Sequence, residues 1–168
     1  MTYYILIHNL IKKDLKMIAK LPRILPPIVF MSLLLPLFVL DIYHPPAFGE
    51  LRSSRPLPWD LLLPIGLILL IGARIQFKKS DSEIMTFGEP RNLVTSGLFR
   101  ISRNPMYLGF TILLLAAALY VNTACALLAP ILFFIAANWW YIPYEEAAAK
   151  RAFGSDYENY IQRVRRWI

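Results

Sequence analysis

LVTSGLFRISRNPMYLGF, residues 93–110, sets a polar, arginine-bearing turn directly in front of a mostly apolar run that continues to Val121. Ser96-Gly97 reads as a turn. Asn104-Pro105 then opens a helix in the expected order, an N-cap residue followed by proline at the first helical position. Polar groups at the mouth of such a helix are costly in lipid unless they serve something.

The rest of the chain says that the solvent is lipid. Of 168 residues, 57% are hydrophobic and 17% charged, too few charges to cover a soluble globule of this size. A spanning helix needs roughly 17 to 25 apolar residues, and four windows come near that: 21–40, 58–77, 106–121 and 123–144. The last two are separated only near Asn122-Thr123, which makes them a tight antiparallel hairpin. The expectation is an all-α integral membrane protein of about four transmembrane helices, forming a single membrane domain over 1–168. Its parts are an amphipathic surface helix (1–20), two N-terminal spans with their loops (21–92) and a core with a C-terminal interfacial helix (93–168).

Basic residues set the orientation. Lys12, Lys13, Lys16, Lys20 and Arg23 precede the first window, and Arg74, Lys78, Lys79, Arg91, Arg100 and Arg103 follow the second. Both termini are therefore expected in the cytoplasm, in a multi-pass protein of the cytoplasmic membrane. The net charge of +7 reads as topology and anionic lipid rather than nucleic acid. Ile7, Ile11, Ile18 and Leu21 lie near one helical face, and no small-residue cleavage site follows, so the first residues read as a surface helix rather than a cleavable signal. Cys125 is the one cysteine, which excludes a disulfide framework and a thiolate-rich metal site. Pro22, Pro26, Pro27 and Pro36 predict a kinked or late-starting first helix.

Glu145-Glu146 ends the fourth window and, across the hairpin, returns to the face from which Arg103 and Asn104 set out. Arg103 alone serves equally as an anchor on lipid phosphate, and the glutamates as a solvated helix end paired with Lys150. Together they form a composite of a guanidinium, a helix N-terminus and two carboxylates. Asn138, Tyr141 and Glu145, at i, i+3 and i+7, can share a face, with Asn138 also readable as a buried interhelical amide. A ligand bearing an ammonium, a carboxylate, a sulfonium and a purine would use all of these groups. S-adenosylmethionine is one, among several zwitterions and nucleotides.

The stretch 93–110, with EEAAAKRAFGSDYENYIQRV at 145–164, resembles the isoprenylcysteine carboxyl methyltransferase and phospholipid methyltransferase superfamily. That superfamily typically shows LVT-x-G-x-Y, then R-H-P-x-Y-x-G, a two-helix hairpin, E-E and F-G-x-x-Y-x-x-Y. The resemblance covers 91–164, about half of the chain. It implies a membrane methyltransferase that holds S-adenosylmethionine at the cytoplasmic ends of its last two spans and acts on a lipophilic acceptor: a prenylcysteine-like carboxylate, a phospholipid amine or another lipid-soluble small molecule. No nucleic acid and no obligatory protein partner are expected.

Carried over by position, it implies cofactor contacts at Arg91, Asn92, Leu93, Val94, Phe99, Asn104, Pro105, Met106, Tyr107 and Glu146. Catalytic roles fall to Glu145, Glu146 and Arg103, and substrate contacts to Asn138 and Tyr141. Gly109 would allow close helix approach. Two positions depart from the pattern. Asn104 stands where histidine is usual, so it cannot act as a general base. The stretch 138–141, NWWY, lacks the arginine that the isoprenylcysteine branch places about one turn before its glutamates.

In the tail, Phe153-Gly154 is expected to end one helix, and Ser155 with Glu158 to form a capping box for the next. Tyr157, Tyr160, Ile161, Val164 and Ile168 make an apolar stripe, suited to a lid over the cofactor or to membrane anchoring. Two other classes fit parts of the pattern. One is a membrane NADPH-dependent reductase of the steroid-reductase-like fold, served by Lys78, Lys79 and Arg100. The other is a non-catalytic membrane partner that keeps the fold.

Overall fold

The computed structural model describes residues 24–43, 58–80 and 90–168, which are helical and without strands. The surface helix expected over 1–20 lies outside the described residues. Helix α1 is Pro26–Tyr43, α2 Trp59–Lys79 and α3 Pro105–Val121. A 3-10 turn, Ala124–Leu127, leads into α4, Leu128–Ala136; a π-helical turn, Ala137–Tyr141, leads into α5, Ile142–Phe153; and α6 is Ser155–Arg163.

Sequence chemistry sets the helix ends. α1 starts late, at Pro26-Pro27, where the missing N–H groups cost nothing. α2 carries Asp60 in its first turn and Lys78 and Lys79 in its last, each complementing the helix dipole. α3 stops at Asn122, whose left-handed backbone (φ 54°, ψ 30°) lets its N–H reach the carbonyl of Ala118. The hairpin turn therefore falls at Asn122-Thr123.

Among the described residues, three helices are long and apolar enough to cross a membrane: Pro26–Tyr43, Trp59–Lys79 and the continuous run Ala124–Phe153. α3 has 17 residues and is shorter than these. It is also the central helix, apolar all round, as a helix buried among others should be. Phe110 of α3 meets Phe30 of α1 at 4.8 Å between ring centroids and Phe133 of α4 at 5.6 Å. α1 and α2 turn large apolar side chains outward, among them Ile28, Leu35 and Phe38, and Leu61, Ile68 and Ile71. Such a surface suits lipid.

α2 and α3 run antiparallel, with Trp59 on Tyr120 at 5.1 Å at one end. They touch where two glycines face each other. A Cβ on Gly109 would lie 3.0 Å from the Gly66 carbonyl and from the Leu70 nitrogen, so only hydrogen fits. At the other end, Ala73, Val94, Phe99, Tyr157 and Tyr160 form a second apolar cluster. This cluster draws the 93–100 stretch and the tail onto the mouth of the bundle.

Candidate functional site

A cavity of about 180 Å³ opens at that mouth, where α1 and α3 begin and α2 and α5 end. Its polar wall consists of Asn92, Arg103, Asn104, Glu145 and Glu146. Leu93, Val94 and Phe99 supply another side, and Pro105, Met106 and Tyr107 a third. Of the residues expected to meet a cofactor, all but the exposed Arg91 line this space. The tail adds Phe153, Tyr157 and Tyr160, and the other helices add Pro26, Phe77 and Phe110.

The charged groups are held tightly. Arg103 Nη2 lies 3.2 Å from Glu146 Oε1, with both side chains largely buried. Arg166 donates from Nε to Glu146 Oε1 at 3.1 Å and from Nη2 to Oε2 at 2.6 Å, a two-point fork. Two guanidiniums thus share one carboxylate, which leaves one positive charge in excess before Glu145 is counted. Arg103 Nε is buried with no hydrogen-bond partner among the described residues. Tyr107 donates its hydroxyl to Glu145 Oε1 at 2.7 Å. Lys150 pairs with Glu158, at 2.9 Å.

Asn104 occupies the N-cap position with Pro105 after it, yet its side chain makes no cap bond. Its amide donates instead to the Arg166 carbonyl at 3.0 Å, and its N–H to Ser102 Oγ at 3.1 Å. The returning tail has outcompeted the helix for this side chain, and the first turn of α3 is left without a side-chain cap.

Asn138 and Tyr141 lie outside the cavity lining. The π-helical turn inserts an extra residue into its hydrogen-bonded ring and shifts the helix phase, so Asn138, Tyr141 and Glu145 reach three different partners. Tyr141 donates to the Ile24 carbonyl at 2.9 Å. The Asn138 side-chain oxygen accepts from the Trp167 indole at 3.1 Å and from Arg166 Nη1 at 3.4 Å. The guanidinium beside 138–141 therefore comes from the tail, a pairing across 28 positions that no local pattern announces.

α6 packs inward. Tyr160 donates to the Phe99 carbonyl at 2.6 Å, and Tyr157 is buried, while Ile161 and Ile168 stay exposed. The capping box does not form: Gly154, at φ 51°, is the N-cap, and Ser155 is already helical. Burial, and next the charge of Glu146, push the Tyr157 hydroxyl up to about 12. Burial, then Tyr157, raises Tyr160 further.

Comparisons with known proteins bear on this arrangement. The family model of phospholipid methyltransferase matches residues 60–156, a stretch that runs from the first turn of α2 into α6. A protein of Haemophilus influenzae, named only as an uncharacterized protein, is 38% identical over 63 residues, which is 38% of this chain and all of that protein. No solved structure matches the chain. Methyltransferase chemistry at a membrane follows from the family rather than from the cavity alone: the chain belongs to the phospholipid methyltransferase family.

Proposed function

We propose that this protein transfers a methyl group from S-adenosylmethionine to a lipophilic acceptor, with the cavity at the bundle mouth as the donor site. The observation that carries this reading is the juxtaposition of Arg103 and Glu146, 3.2 Å apart, with Glu145 and the uncapped start of α3 on one cavity wall. The residues fit such a donor. Arg103, whose buried Nε has no partner among the described residues, and the first-turn N–H groups of α3 suit a carboxylate. Glu145 suits an ammonium, and Phe99, Phe153 and Tyr157 offer aromatic faces to a sulfonium and a purine.

When bound, S-adenosylmethionine supplies an electrophilic methyl group on a positively charged sulfur. The protein's part is to orient and to exclude water, which together can account for a large share of the rate. Glu145, fixed by Tyr107 at Oε1, is the carboxylate available to take a proton from an amine acceptor. A carboxylate acceptor would need no base. The family's description, phospholipid methyltransferase, supports a phospholipid as the acceptor. Pro26, Met106 and Phe110 give the cavity an apolar lining that suits a lipophilic acceptor. The basic residues around the mouth support a cytoplasmic placement.

Calorimetric titration of the detergent-purified protein with S-adenosylhomocysteine, S-adenosylmethionine and NADPH tests the donor site. Binding of the two adenosyl compounds but not NADPH is expected. Binding of NADPH alone would replace this reading with the reductase.

A further inference from the structure

Arg166 touches the site without lining it. Its position is fixed by the segment that follows α6, whose first residue, Val164, has an extended backbone. The Arg165 carbonyl accepts the Arg103 N–H at 3.0 Å, and the Arg166 carbonyl accepts the Asn104 amide at 3.0 Å. Trp167 stacks on Phe134 with ring centroids 4.6 Å apart. The segment is thus pinned to the 102–104 loop, to α4 and, through the Trp167 indole on Asn138, to the π-helical turn.

From this geometry we propose that Arg166 is a positioning residue for the amino-acid end of the methyl donor: its fork saturates Glu146 and so keeps Arg103 turned to the cavity. This rests on the donor reading above. Glu146 has two oxygens, and Arg166 takes both, leaving Arg103 one shared contact at Oε1. Without Arg166, the carboxylate is free to turn and bind Arg103 through both oxygens, which would neutralise the guanidinium that meets the ligand. A cation that neutralises Glu146 from outside the cavity makes a second cation inside it available for an anion.

The test compares two ligands on full-length protein in detergent. S-adenosylhomocysteine carries the amino-acid end, and 5′-methylthioadenosine lacks it. Arg166→Gln is expected to weaken S-adenosylhomocysteine roughly tenfold or more, while methylthioadenosine binding stays unchanged. Arg166→Lys, which keeps the charge but not the fork, should fall between, and it carries the comparison if Arg166→Gln does not fold. Equal weakening of both ligands, or no weakening of S-adenosylhomocysteine, overturns the proposal. A wild type that binds neither ligand sinks the donor reading itself, and this one with it.

Discussion

Arg166 grips both carboxylate oxygens of Glu146, at 3.1 and 2.6 Å, across 20 positions of sequence. The contact closes the tail over the mouth of the bundle, and Glu146 also holds Arg103. Glu146→Gln would leave two neighbouring guanidiniums without their counter-charge. A loss of roughly 1–3 kcal/mol is expected, read as a lower midpoint of thermal unfolding in detergent. The double variant with Arg166→Gln should be less unstable than the two losses added together. Simple additivity would show that the pair is not coupled.

Gly109 is the point of closest approach between α2 and α3. Gly109→Val places a branched side chain against the Gly66 carbonyl and the Leu70 nitrogen, and neither backbone can give way cheaply. A cost of about 1–3 kcal/mol follows from overpacking, measurable as a lowered unfolding midpoint. A variant as stable as wild type would mean that the two helices separate without penalty.

Tyr157 makes the tail sensitive to alkali. Its hydroxyl, raised to about 12 by burial and by Glu146, keeps its proton in the native state after an unfolded chain has lost it near 10. The native state therefore binds more protons between those values, and stability falls as pH rises through them, being intact below pH 10. Tyr157→Phe keeps the ring without the ionisable group. Its unfolding midpoint should fall less than that of wild type between pH 10 and 12, and parallel pH profiles would count against the buried environment.

Tyr107 donates a hydrogen bond of 2.7 Å to Glu145. Tyr107→Phe removes it and leaves the ring stacked near Tyr141, at 5.9 Å. S-adenosylhomocysteine affinity should fall about three- to tenfold, a fraction of what a hydrogen bond to a charged group is worth, because Tyr107 acts through Glu145. Calorimetry checks this, and unchanged affinity would remove Glu145 from the donor's contacts.

Much of the fold was legible because its signals are local. Asn104-Pro105 opens α3, Asn122 ends it, and Leu93, Val94, Phe99 and residues 103–107 line the cavity. What stayed hidden is long-range. Nothing near Arg166 says that it will reach Glu146 and Asn138, and nothing near Tyr160 points to the Phe99 carbonyl 61 positions away. The π-helical turn at 137–141 was equally unreadable, since a helical period assumes that no residue is inserted. The Ser155/Glu158 pattern misled for a related reason: Gly154, with its positive φ, ends α5 and starts α6 at once, leaving Ser155 inside the helix.

The most direct test of the central claim follows the methyl group. The purified protein, reconstituted into bilayers of phosphatidylethanolamine and phosphatidylglycerol, is incubated with methyl-labelled S-adenosylmethionine, and the organic extract is counted and resolved by chromatography. Label is predicted in an organic-soluble product with wild type, and to be lost with Glu145→Gln. If the wild type binds S-adenosylhomocysteine yet label in total lipid extracts of the source membranes never exceeds a boiled control, the protein is not a methyltransferase acting on a lipid.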